Sequence, residues 1–178
     1  PRMMHQAFTT MMAGRPGPVV VDVPYDVFFE QAEMEVLDPQ LWRAGIDQRS
    51  GASPETAQRI LDELLAAKRP VILVGNGATL SDASDDVRAL AEALNIPVAC
   101  TPMGGGIVSD DHPLGLGTTG RDGTYAGNEA TATADVILAL GAEFDDRAAS
   151  AWLPGYTFAI PPTKLIQVDP GELEIGRN

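Results

Sequence analysis

The sequence is poor in cysteine, histidine and basic side chains: one Cys, two His, and 12 Lys+Arg against 25 Asp+Glu in 178 residues. A single cysteine, Cys100, excludes an internal disulfide, and its setting in IPVAC reads as a buried strand thiol of a reducing compartment. His5 and His112 stand too far apart for a histidine-based metal cluster, and His112, between Asp111 and Pro113, reads as a loop residue. The formal charge of -13 has the wrong sign for nucleic acid or an anionic membrane, although local backbone N–H groups can still hold one small anion. No run approaches the roughly 18 apolar residues that a membrane span needs, and PRMMHQAFTTMM lacks the small-residue cleavage site of a signal peptide. These absences point to a cytoplasmic protein. Chemistry-bearing motifs are missing too. GNGATL lacks the third glycine of a dinucleotide fingerprint, no Walker lysine follows a glycine loop, and no serine stands in a nucleophile elbow.

What is present suits a globular protein of about one domain, with 44% apolar and 21% charged residues, and the 6% aromatic share favours small aliphatic packing. Met3 to Met12 reads as a helix stopped by Gly14, and VVVDVP (Val19 to Pro24) as a buried strand closed by proline. One helix and one strand cannot bury each other, so residues 1–30 are expected to be the tail of a preceding domain. Residues 31–52, with Pro39, two glycines and mixed charges, read as a linker that Leu37, Leu41 and Trp42 could hold to a surface. From residue 53 the pattern becomes regular. Ser53-Pro54-Glu55 has the form of a helix start, Ile60, Leu61, Leu64 and Leu65 form an apolar stripe, and Lys68-Arg69 suit the helix end before Pro70.

PVILV, PVACT, a short strand near Leu114 to Gly117, DVILALG and TKLIQVD then alternate with helical stretches, Ser81 to Leu94 and Tyr125 to Ala134 among them. Short apolar strands separated by helices predict an α/β fold with a doubly wound parallel sheet over residues 53–178. Ligands of such sheets bind at the C-terminal strand ends, near the point where strand order reverses. Those ends are Gly75-Asn76-Gly77, Thr101-Pro102-Met103-Gly104, Gly117-Thr118-Thr119-Gly120, Gly141-Ala142-Glu143 and Val168-Asp169. A glycine there admits a ligand to the main chain, or simply makes a tight turn. Asp169 fits a ribose acceptor or a helix cap. Arg147 fits a phosphate partner or a surface pair with Asp145 or Asp146.

The order of these segments, GRPGPVVVDVPYDV, KRPVILVGNGA, the long block LNIPVACTPMGGGIVSDDHPLGLGTTGRDGTYAGNEATATADVILALGAEFDDR, and KLIQVDPGELEIGRN, resembles thiamine-diphosphate-dependent enzymes of the acetolactate synthase type. The resemblance implies the tail of a pyrimidine-binding domain followed by a Rossmann-like central domain that stops short of its last strand. It implies a parent enzyme, a transferase or lyase using thiamine diphosphate and Mg2+ to make or break carbon–carbon bonds of small 2-oxo acids, built as a homo-oligomer. It places catalytic groups outside this segment, which is expected to be inactive alone. In the central-domain cleft it implies FAD, ADP, part of a coenzyme A, or nothing. Carried over by position, the flavin contacts fall on Gly75, Gly77, Thr101, Pro102, Met103, Thr119, Gly120, Arg121, Asp122, Gly141, Ala142, Asp145, Arg147 and Asp169. Two positions depart from the flavin pattern: Asp122 of GRDGT stands where a histidine is usual, and Glu143 of GAEFDDR where an arginine is usual. Both exchanges add negative charge beside a pyrophosphate. The ending SAWLPGYTFAIPPTKLIQVD is also similar to a ring-opening trihydroxycyclohexanedione hydrolase, a different reaction on the same scaffold, and an empty spacer domain is the further alternative.

Overall fold

The computed structural model describes every residue except 36, 37, 39, 41–50 and 178, and the side chain of Glu172. The chain divides into two compact units, residues 1–51 and 52–178. The first holds α1 (Arg2–Met12), which buries Ala7, and a single helical turn, α2 (Tyr25–Phe28). The strand expected at Val19–Pro24 is not formed. The segment is extended without a ladder partner, and Val20 is 90% exposed. A strand needs a neighbour for its N–H and C=O groups, and the described residues of this unit contain no second strand. The linker contacts expected of Leu37, Leu41 and Trp42 lie outside the described residues.

The second unit is the α/β sheet predicted above. Helix α3 (Pro54–Ala66) opens as its sequence requires, with the Ser53 hydroxyl accepting the Thr56 N–H at 3.2 Å and proline at the first helical position. It ends earlier than Lys68-Arg69. Ala67 is already extended, and the N–H groups of Lys68 and Arg69 are instead donated to the Asp135 carboxylate at 2.7 and 2.9 Å. Strand β1 (Pro70–Val74) follows, then α4 (Asn76–Leu80) and α5 (Ser84–Leu94). The helix expected over Ser81–Leu94 is formed but starts at Ser84, and a separate short helix, Asn76–Leu80, precedes it; between them Asp82 takes a left-handed conformation (φ 56°) that no α-helix continues. Strands β2 (Val98–Cys100) and β3 (Gly115–Thr118), helix α6 (Tyr125–Thr133), and strands β4 (Val136–Leu140) and β5 (Lys164–Val168) complete the unit.

All five strands are parallel, in the order β3-β2-β1-β4-β5. In β1, alternation sends Ile72 and Val74 into a core with Leu64 of α3, Ala78 of α4, and Val87 and Ala91 of α5. Val71 and Leu73 join a second core with Ile137, Ala139, Ala142, Phe144, Ala149 and Phe158, against which Ala130 of α6 packs. The sheet is therefore covered on both faces, which is why β1 and β4 are apolar at every position and buried at nearly all. At the opposite end from the strand tips, Asp135 draws the start of β1 toward β4. Burial opposes its charge, but the N–H groups of Lys68 and Arg69 outweigh this and lower its pKa.

Candidate functional site

The chain runs outward from β1 to β2 and β3, then returns to the other side of β1 for β4 and β5, so strand order reverses between β1 and β4. At that reversal the β1 and β4 loops meet through main chain. The Gly75 N–H donates to Leu140 C=O at 3.0 Å and the Gly77 N–H to Gly141 C=O at 2.9 Å. A Cβ on Gly77 would lie 2.6 Å from the Gly141 Cα, and one on Gly141 the same distance from the Gly77 Cα. Gly141 also holds φ at 58°, where an L side chain is strained. These glycines are required by loop-to-loop contact. Ala142 is fully buried beneath them.

Next to this closed centre, the buried Thr101 donates its N–H to Val74 C=O at 2.8 Å and begins the short turn Pro102–Gly104, on which Met103 is 70% exposed. Thr119, also buried, donates N–H and hydroxyl to Cys100 C=O. Cys100 itself has a raised pKa, first from burial and then from Asp110, so its thiol stays protonated near neutral pH.

The rim is built differently. Strands β3 and β4 are three places apart in the sheet, roughly 14 Å at the usual inter-strand spacing, yet their following loops touch. The Arg121 N–H donates to Arg147 C=O at 3.0 Å, and a Cβ on Gly120 (φ 97°) would lie 3.0 Å from the Ala148 Cα. Asn128 of α6 grips this loop from below, its Nδ2 donating to Gly120 C=O and its Oδ1 accepting the Gly120 N–H, both at 2.9 Å. The Thr157 hydroxyl also donates to Asn128 Oδ1 at 3.1 Å and lies 2.7 Å from the Ser150 Oγ, while Thr131 donates to Thr157 C=O at 2.6 Å. Ser150, Ala151 and Trp152 form a left-handed turn (φ 51°, 52° and 55°), and Phe144, Trp152 and Phe158 pack as a ring cluster beside it.

On this frame sits a crossed pair of ion pairs. Arg121 donates to Asp146 Oδ2 at 2.7 Å and Arg147 to Asp122 Oδ2 at 2.9 Å. All four side chains are more than half exposed. The Asp122 carboxylate raises the Arg147 pKa still further, first by its hydrogen bond and then by its charge, so the guanidinium is permanently cationic. The hydrogen-bonded partner of Arg147 is thus Asp122, while Asp145 acts on it through charge alone. Asp145 accepts the Ala148 N–H at 2.7 Å and Asp169 the Gly171 N–H at 2.7 Å, each closing a turn in its own loop. Glu143 lies 3.8 Å from Arg177, which also pairs with Glu174 at 3.0 Å. The 3-10 turn Glu172–Glu174 is preceded by Gly171.

The sequence-predicted positions all fall in the loops at the C-terminal strand ends: Gly75, Gly77, Gly141 and Ala142 in a closed centre, Gly120, Arg121, Asp122 and Arg147 on an ion-paired rim, and Thr101, Pro102, Met103, Thr119, Asp145 and Asp169 beside them in the same loops. Asn128, Thr131, Ser150 and Thr157 were not anticipated. They are neutral, widely spaced residues, and only the density of threonine between Thr118 and Thr133 hinted at them. His112 is the loop residue expected, set 3.1 Å from Glu92. Among the described residues no group of three His, Cys, Asp or Glu is placed to hold a metal ion, and no helix is long and apolar enough to cross a membrane.

Residues 57–178, which include the whole sheet and both loop sets, match the family described as thiamine pyrophosphate enzyme, central domain. The chain belongs to that family. Similarity extends over the first unit as well. The probable acetolactate synthase large subunit of Methanococcus aeolicus is 35% identical across 100% of this chain and 29% of its own length. The large subunit of Lactococcus lactis acetolactate synthase is 40% identical over 84% of the chain and 26% of its own length. Escherichia coli acetolactate synthase isozyme 3 large subunit is 39% identical over 83% of the chain and 26% of its own. The chain spans under a third of the length of these curated relatives.

Proposed function

We propose that this central domain serves a thiamine-diphosphate-dependent enzyme of the acetolactate synthase type, a homo-oligomer that joins or cleaves carbon–carbon bonds of small 2-oxo acids. The observation that carries the reading is similarity to acetolactate synthase large subunits running the full length of the chain, first unit included. In such an enzyme thiamine diphosphate, held with Mg2+, supplies the electron sink for the carbanion formed from the substrate. The residues of this chain supply position. The closed glycine centre locks the β1 and β4 loops together, and the Asn128 clamp fixes the β3 loop against them, so the strand-end edge is a rigid platform for neighbouring domains.

This edge is where the resemblance implies FAD or ADP. Its neutral part, with exposed Met103 and the Thr101 turn, suits an uncharged ring or a ribose. Its charged part does not fit a diphosphate, because both guanidiniums of the rim already hold carboxylates. The reading is tested by incubating the parent polypeptide with pyruvate, thiamine diphosphate and Mg2+ and assaying acetolactate. Formation of acetolactate that depends on both cofactors is expected. No pyruvate consumption, with hydrolysis of a cyclic dione instead, would replace it by the ring-opening hydrolase reading.

A further inference from the structure

The misfit between rim and diphosphate has a specific origin. We propose that Asp122 and Asp146 are built-in counter-anions: they occupy the two arginines that a nucleotide's diphosphate would need, and so keep such a ligand away from this edge. The inference rests on the central-domain reading above. The loops after β3 and β4 contain only two basic residues, Arg121 and Arg147, and each is already held, at 2.7 and 2.9 Å.

Exposed ion pairs are weak, and a free carboxylate would yield to a more highly charged phosphate. These carboxylates are not free. Asp122 follows Arg121 in the chain and Asp146 precedes Arg147, so Arg-Asp in one loop faces Asp-Arg in the other. An expelled Asp122 would remain beside Arg121, and an expelled Asp146 beside Arg147. The main chain keeps them there through the Arg121 N–H on Arg147 C=O and the Asn128 grip on Gly120. A docked diphosphate would therefore keep two carboxylates within the roughly 8 Å screening length of physiological salt, a like-charge arrangement that disfavours binding. Asp145, in the same β4 loop, adds a further carboxylate beside Asp146 and Arg147.

Calorimetric titration of the 178-residue chain with ADP, FAD and inorganic pyrophosphate tests this, comparing wild type with D122N/D146N. Both substitutions keep side-chain size and lie on exposed positions. Wild type is expected to show no saturable binding below about 1 mM. The double variant is expected to bind ADP and pyrophosphate at least tenfold more tightly, with affinity falling as salt rises, about 1.4 kcal/mol by the usual conversion. Wild-type binding of FAD or ADP tighter than about 10 µM, or no gain in the variant, overturns the proposal. Should the double variant fail to fold, D122N alone frees Arg147, and a gain of severalfold is expected; an unchanged affinity there overturns it equally. Acetolactate formation by the parent polypeptide is a separate measurement, so failure of either reading leaves the other standing.

Discussion

The centre and the rim of the strand-end edge share the β4 loop, where Gly141 and Asp146 are five residues apart, and are held by opposite means. At the centre, Gly75, Gly77 and Gly141 are fixed by shape: their Cα positions press on one another, and any added carbon meets main chain. At the rim, Arg121, Asp122, Asp146 and Arg147 are fixed by charge, largely in solvent. The difference separates what the fold needs from what a ligand would sense. Shape at the centre is costly to change, whereas charge at the rim is cheap to change.

The largest effect expected is at the centre. Gly141→Ala adds a carbon against Gly77 at a positive φ, and the combined overpacking and backbone strain predict a loss of about 3 kcal/mol or more in urea unfolding. Next comes the support that joins the two regions. Asn128→Ala leaves the Gly120 N–H and C=O without that partner and is expected to cost about 1–3 kcal/mol in the same measurement, with a disordered rim loop and an intact centre. Far from both, Asp135 provides a control with its own signature. Its pKa is lowered in the folded chain, so the stabilisation it gives is fully present above the ordinary carboxylate value of about 4 and is lost as pH falls through its lower folded value. Asp135→Asn is therefore expected to flatten the acid limb of a stability–pH curve and leave the rim ion pairs unchanged. The smallest effect is expected at the rim: Arg121→Gln should move the thermal midpoint by no more than about 2 °C, and less at high salt.

Much of this fold was legible in the residues because period and punctuation agree. PVILV and VILAL are apolar at every position, as strands buried on both faces must be, and Ser53-Pro54 marked the start of α3 at the residue where it occurs. The failures have physical causes. VVVDVP has strand composition, but a strand is stabilised by its neighbour, and composition does not supply one. Asp82 delays the start of the helix from Ser81 to Ser84 by taking a left-handed conformation that an aspartate tolerates and a sequence pattern does not announce. At the site, the strand-end glycines fall on one edge, and of the two roles the sequence left open, ligand approach or a tight turn, the contacts of Gly75, Gly77 and Gly141 with the opposite loop account for the structural one. The crossed ion pairs were not legible, because Arg121 and Asp146 are 25 residues apart in sequence and only the bridging of the β3 and β4 loops brings them together.

The contrast between shape and charge is tested most directly by urea unfolding of Gly75→Ala and Arg147→Ala side by side at low and high salt. The account predicts a large, salt-independent destabilisation for Gly75→Ala and a midpoint close to wild type for Arg147→Ala. Comparable losses in the two variants, or a Gly75→Ala protein as stable as wild type, would contradict it.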